Sequence, residues 1–208
     1  TVAEDSDPVV LNDLNTVFND IDSELTFSYT NDNTGLLMVT VDGDNAVTLT
    51  FATDSSGITN LTFIADDGEY TVTDSVVVTV NPVNDAPVLA SIGAQTTNED
   101  TAKIITLSAT DVEGNDLTYS ATSADTYVTA SVSNDTLTLT PAADSSGTAD
   151  ITVFVTDGSL SDTTSFVLTV TPVNDPPGIV LPDTFEFSED GLLAVDFTPY
   201  FNDIDSDT

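Results

Sequence analysis

A recurrence at 90 residues constrains this chain more than any single motif does. The tetrapeptide DSSG begins at Asp54 and again at Asp144, Asp67-Gly68 returns as Asp157-Gly158, and Asn84-Asp85 of VNPVNDAPV returns as Asn174-Asp175 of VTPVNDPP. A period of this length marks tandem copies of one folding unit, each with its own core. The Glu-Asp pair keeps the same spacing from Glu99-Asp100 to Glu189-Asp190, and Glu4-Asp5 is an earlier copy displaced by a shorter connection. The recurrence places repeats at residues 1–85 and 86–175 and a partial third repeat at 176–208, with the proline-framed Asn-Asp motif as the joint.

Within the second repeat the apolar residues alternate. KIITLSAT puts Ile105, Leu107 and Ala109 on one face, TYVTASVS does the same with Val128, Ala130 and Val132, and Leu137/Leu139, Ile151/Val153/Val155 and Phe166/Leu168/Val170 continue the pattern. Period two with interleaved Thr and Ser predicts strands that each bury one face. PVLASI and LTYSAT bring the expected number to about seven, and Asn134-Asp135, Asp157-Gly158 and Asp42-Gly43 supply turns. No stretch carries a helical period. Seven short strands in about 90 residues predict an all-β fold, tandem antiparallel immunoglobulin-like Greek-key sandwiches. Their cores rest on packing alone, because the chain has no Cys.

The charge balance decides which partners are suitable. One basic residue, Lys103, stands against 36 Asp and Glu, for a formal net charge of -35. Nucleic acid and anionic membrane surfaces are poor partners on that ground, and cations are the natural ones. With 39% apolar residues the chain has material for real cores, so it does not read as a disordered acidic tail. Absence of His removes the commonest general base and zinc ligand, which leaves oxygen-only coordination. There is no run of 18 apolar residues and no basic-then-apolar leader, so the sequence reads as an internal, non-spanning segment of a longer protein.

The acids cluster in turns at matching positions of the repeats. NED (98–100), DVEGND (111–116), Asp144, Asp157 and VND (174–175) in the second repeat echo AED, NDIDSE (19–24), Asp54, Asp67 and VND (84–85) in the first. The partial repeat gives SED and NDIDSD. A hard cation such as calcium takes about 6 to 8 oxygens at roughly 2.3–2.6 Å, and Asp-x-Asp or Asp-x-Glu in a turn aims two carboxylates at one point. The same acids also have a purely structural use, since a turn Asp commonly accepts hydrogen bonds from its own backbone and the glycines of DSSG can supply a positive φ.

The stretches TLSATDVEGNDLTYSA, FVTDG and VTPVNDPP together resemble the cadherin repeat, and the PVNDAP linker with DSSG is similar to the cadherin-like tandem repeats of very large bacterial (RTX-type) surface adhesins. The resemblance covers both complete repeats and the partial one. It implies calcium at the junctions between successive repeats. At the first junction Glu4, Asp54 and Asp85, with the Asn84 carbonyl, would face Asp111, Glu113 and Asp157. At the second, Glu99, Asp144 and Asp175, with Asn174, would face Asp203 and Asp205, while Asp20, Asp22 and Asp67 would serve an upstream repeat. Pro82 and Pro172 stand where fuller cadherin linkers carry another carboxylate, so the resemblance implies one or two ions per junction, bound with dissociation constants on the order of 10⁻⁴ to 10⁻³ M.

The function this implies is a non-enzymatic, extracellular extender of an adhesin, whose partners are the neighbouring repeats. Glycoside hydrolysis by paired carboxylates is disfavoured, because there is no Trp and only 7% aromatic residues to line a cleft. The alternative is a module attached to an exported protein that binds carbohydrate or associates with itself. Its five Tyr are too scattered for a sugar platform, and self-association would run through the incomplete third repeat.

Overall fold

The computed structural model describes residues 1–186, 189 and 195–203. The chain forms two compact units, Thr1–Asp85 and Ala86–Thr208. In the first unit the strands are β1 (Val2–Ala3), β2 (Val9–Asp13), β3 (Thr26–Asn31), β4 (Leu37–Val41), β5 (Ala46–Phe51), β6 (Gly57–Asp66) and β7 (Thr71–Asn81), with a helical turn α1 (Leu14–Val17) between β2 and β3. They make two sheets, β1-β7-β6-β3 and β2-β5-β4. Alternation builds the core between them: Leu37, Val39, Val47 and Leu49 from one sheet meet Leu61, Phe63 and Ala65 from the other. Each such aliphatic side chain contributes about 1.5–3 kcal/mol by leaving water.

The second unit repeats the plan with β8 (Val88–Leu89), β9 (Gln95–Asn98), β10 (Lys103–Thr106), β11 (Ala109–Thr110), β12 (Thr118–Ser123), β13 (Val128–Ser133), β14 (Thr136–Pro141), β15 (Gly147–Thr156) and β16 (Ser161–Thr171). Sheets β12-β15-β16-β9 and β10-β14-β13 enclose Leu137, Leu139, Ile151, Val153, Val155 and Leu168, all completely buried. A small β11-β8 pair adds Leu89 to that core. Among the described residues from 176 onward, β17 (Gly178–Ile179) and β18 (Phe201–Asn202) pair with each other, and Thr198–Tyr200 form a 3-10 turn. Both units are all-β sandwiches of the immunoglobulin-like type.

Three local features differ from the sequence expectation. The sheets are not purely antiparallel: β1 runs parallel to β7 (Val2 opposite Val80) and β9 parallel to β16 (Leu168 opposite Gln95). Gln95-Thr96-Thr97-Asn98 is polar and carries no apolar alternation, so its pairing comes from the partner strand. The second feature is α1, where Asp13 Oδ1 accepts the Asn15 N–H at 2.8 Å and starts a turn that buries Leu14. Four residues are too short to leave a helical period. Third, the β4–β5 turn takes its left-handed residue at Asn45 (φ +63°), while Gly43 has no positive φ. Asp42 Oδ1 organises that turn by accepting the N–H groups of Asp44 and Ala46, each at 2.9 Å.

Candidate metal centre

One arrangement of acids is built twice. In the first unit the carboxylate oxygens of Asp5, Asp54 and Asp85 lie within 4.8 Å of one another, and in the second those of Asp100, Asp144 and Asp175 do the same. The backbone is bent to make it so. Asp5 (φ +56°), Asp54 (+51°), Asp100 (+58°) and Asp144 (+53°) all adopt the left-handed conformation, which costs a non-glycine residue on the order of 1 kcal/mol or more. Asp tolerates it better than bulkier residues because its short side chain bonds locally. In the first unit Asp5 Oδ1 accepts the Asp54 N–H at 3.1 Å, tying the Glu-Asp turn to DSSG. Gly57 (φ +147°) and Gly147 (φ +141°) end the DSSG turns, so that motif also has a backbone role.

The glutamate of each Glu-Asp pair fixes the linker. Glu4, only 4% exposed, follows β1, donates its N–H to the Asn81 carbonyl at 2.9 Å and accepts the Val83 N–H on Oε1 at 2.6 Å. Glu99, 3% exposed, does the same with the Thr171 carbonyl at 2.9 Å and the Val173 N–H at 2.6 Å. Both bonds are short and charge-assisted, and they clamp Pro82-Val83 and Pro172-Val173 to the base of the preceding sandwich. Asn84 and Asn174 each donate Nδ2 to the following Asp carbonyl at 3.1 Å. A Glu4 carboxylate oxygen also comes within 4.8 Å of Asp85.

The acids expected from loops at the other end of each sandwich are held by their own backbones. Asp20 Oδ1 accepts N–H groups from Asp22 (2.9 Å) and Ser23 (3.0 Å), and these bonds, Asp22 first, hold its carboxyl below the ordinary range. Asp67 accepts from Glu69 (2.7 Å) and Tyr70 (2.6 Å), and Asp157 accepts from Ser159 (2.6 Å) and Leu160 (2.7 Å). Asp111 Oδ1 accepts the Asn115 N–H at 2.9 Å in a turn that Gly114 completes at φ +72°. Its Oδ2 is buried without a hydrogen-bond partner among the described residues. Glu113 is exposed and Asp203 half-buried, and Asp205 lies outside the described residues.

Of the residues singled out in the sequence, Asp54 with Asp85 and Asp144 with Asp175 are therefore brought together inside their units. Asp5 and Asp100 complete those clusters. The recurring Glu-Asp pairs mark both in the sequence, although the ligand sets that the resemblance implies take only Glu4 and Glu99 from them. In a strand end the glutamate turns inward and the following residue is left in the turn.

The donor set is chemically suited to a hard cation. Three carboxylates converge in each unit, no His or Cys is present to favour a softer metal, and the chain's 36 acids have one basic side chain among them.

Residues 83–171 match the family model described as a cadherin-like domain. Among solved structures, an endo-fucoidan hydrolase of glycoside hydrolase family 107 is 23% identical, with a TM-score of 0.36 and 83% of this chain covered. The chain spans 27% of that hydrolase's length. Human protocadherin-24 EC1-2 is 17% identical, with a TM-score of 0.48 and coverage of 74% of this chain and 86% of that one. Chicken VE-cadherin EC1-2 is 16% identical, with a TM-score of 0.38 and coverage of 81% and 95%. A search of curated proteins found no match. No helix among the described residues is long and apolar enough to cross a membrane.

Proposed function

We propose that this chain is a calcium-stiffened extender, a non-enzymatic run of cadherin-like repeats that holds an adhesive end of a bacterial surface or secreted adhesin away from its anchor. The observation that supports it is the doubled cluster, Asp5/Asp54/Asp85 and Asp100/Asp144/Asp175, each with two residues in a costly backbone conformation. Strain repeated at the same two positions of both repeats argues for a ligand-binding use. Asp85 and Asp175 belong to the linkers, so an ion held by either cluster also holds the start of the next repeat. In this reading Asp111, Glu113 and Asp157 complete the first site from the second repeat, and Asp203 and Asp205 complete the second from the third.

Calcium would supply charge neutralisation and a fixed meeting point for oxygens, while the residues supply the order. Glu4 and Glu99 position the linkers through Val83 and Val173, the left-handed Asp residues aim their carboxylates, and the prolines limit the backbone on either side. Without the ion, like charges less than 5 Å apart repel and the joint loosens. Thermal melting and small-angle scattering in calcium and in chelator test the proposal. Calcium raises the melting temperature and lengthens the particle; equal melting temperatures and equal maximum dimensions in the two buffers would sink it.

A further inference from the structure

β9 contains no apolar residue, yet it completes the four-stranded sheet of the second unit. What holds it is hydrogen bonding to β16, in four consecutive parallel pairs from Gln95 opposite Leu168 to Asn98 opposite Thr171. Side chains extend the ladder at its lower end. The Thr171 hydroxyl shares its proton between Asn98 Oδ1 at 2.7 Å and the Thr97 carbonyl at 3.2 Å. Glu99 follows, with its N–H on the Thr171 carbonyl at 2.9 Å and its Oε1 on the Val173 N–H at 2.6 Å. On its other side β16 is anchored by ten pairs with β15, and it buries Phe166, Leu168 and Val170 in the core.

The direction of this pair decides how the unit responds to a pull. The chain enters the second unit through β8 and β9 and leaves it through β16. Because β9 and β16 run parallel, tension between the two linkers draws β9 toward its N-terminus and β16 toward its C-terminus, along one strand axis. All the evenly spaced bonds of the pair are then strained together. A pull on both strands from the same end breaks them one after another instead. β8 lies ahead of β9 but pairs with β11 over two residues only. The first unit joins β1 to β7 in the same parallel sense, and Glu4 repeats the bonds of Glu99 at Asn81 and Val83.

We propose that the β9–β16 pair is a shear clamp through which the second repeat bears tension along the chain, with Thr171 and Glu99 as its reinforcing side chains. A short polar strand suits this use. Its hydrogen bonds lie where the load falls, and the apolar core between the sheets stays in place until they fail. The proposal takes from the extender reading only that the chain is pulled. Measured in chelator, the clamp stands or falls apart from any effect of calcium on melting temperature or particle length.

The chain has no Cys, so an introduced pair gives unique handles for single-molecule pulling on the full 208 residues. Ala86→Cys with Pro176→Cys loads the clamp along its axis, and Thr101→Cys with Pro176→Cys peels it from the Asn98–Thr171 end. Four pairs resist together in the first geometry and one at a time in the second, so the axial unfolding force is at least about twofold higher. Thr171→Val speeds axial unfolding at fixed force about fivefold, the equivalent of one hydrogen bond. Leu139→Val, in the sheet that the clamp does not join, lowers the melting temperature and leaves the axial force unchanged. Three results overturn the proposal: equal forces in the two directions, an axial rate that Thr171→Val leaves unchanged, or an axial force that Leu139→Val lowers as much as Thr171→Val does.

Discussion

Replacing Asp144 by Asn separates the proposed ion site from the fold that carries it. Asn is the residue most at ease in the left-handed conformation after glycine, so the turn at φ +53° is retained and only the charge is lost. Carboxylate oxygens of Asp144 approach those of Asp100 and Asp175 within 4.8 Å. At that separation two unit charges repel by about 0.9 kcal/mol in a water-like dielectric. A Debye length of about 8 Å at physiological salt reduces this to about 0.5 kcal/mol per pair. Two pairs are relieved, so in chelator Asp144→Asn is more stable than the parent by about 1 kcal/mol, or about 4 °C in melting temperature. In calcium the order reverses. With a dissociation constant on the order of 10⁻⁴ M, the parent gains about 1.4 kcal/mol at ten times that concentration and about 2.7 kcal/mol at a hundred times. The variant, having lost a charged ligand, gains much less. Calorimetric melts of both proteins across a calcium series therefore cross. A variant no more stable than the parent in chelator would refute the repulsion, and parallel curves would refute the site.

Other perturbations separate structural roles from ionic ones. Glu99→Ala removes the acceptor of the Val173 N–H from a part-buried bond and costs about 1–2 kcal/mol in chelator as well as in calcium, whereas Glu99→Gln keeps an acceptor and loses less than half of that in chelator melts. The backbone N–H groups of Leu89, then Thr163, hold the Asp162 carboxyl below its ordinary range. Its contribution is therefore complete at neutral pH and fades as pH falls through the carboxylate range; Asp162→Ala lowers the melting temperature at pH 7 and matches the parent in strong acid. Gly147→Ala combines a φ of +141° with a Cβ only 3.0 Å from the Tyr127 hydroxyl, and urea unfolding of this variant should show a loss of at least about 1–2 kcal/mol.

The period-two patterns that end in Val155, Leu139 and Val170 made the sandwiches legible, because a buried face admits one register of alternation. The 90-residue recurrence likewise made Asp54, Asp85, Asp144 and Asp175 stand out. Alternation does not say which strand lies beside which, so the parallel partners β1 and β9, one of them wholly polar, were not visible. Nor does it say which acids of a pair converge. In Glu4-Asp5 one glutamate oxygen accepts the Val83 N–H and the carboxylate comes within 4.8 Å of Asp85, while φ +56° leaves Asp5 beside Asp54. Asp67 and Asp157 show the converse, since their turns satisfy one oxygen locally whatever else the other does.

The most direct test of the central claim is a calcium titration followed by the backbone amide resonances of the chain at physiological salt. The account predicts saturable shifts confined to the base turns and linkers, at Asp54, Asp144, Val83 and Val173, with dissociation constants on the order of 10⁻⁴ to 10⁻³ M. They should vanish in the Asp54→Asn/Asp144→Asn double variant. Small, unsaturated shifts spread over all the acidic residues would mean that calcium is only a diffuse counterion, and would contradict it.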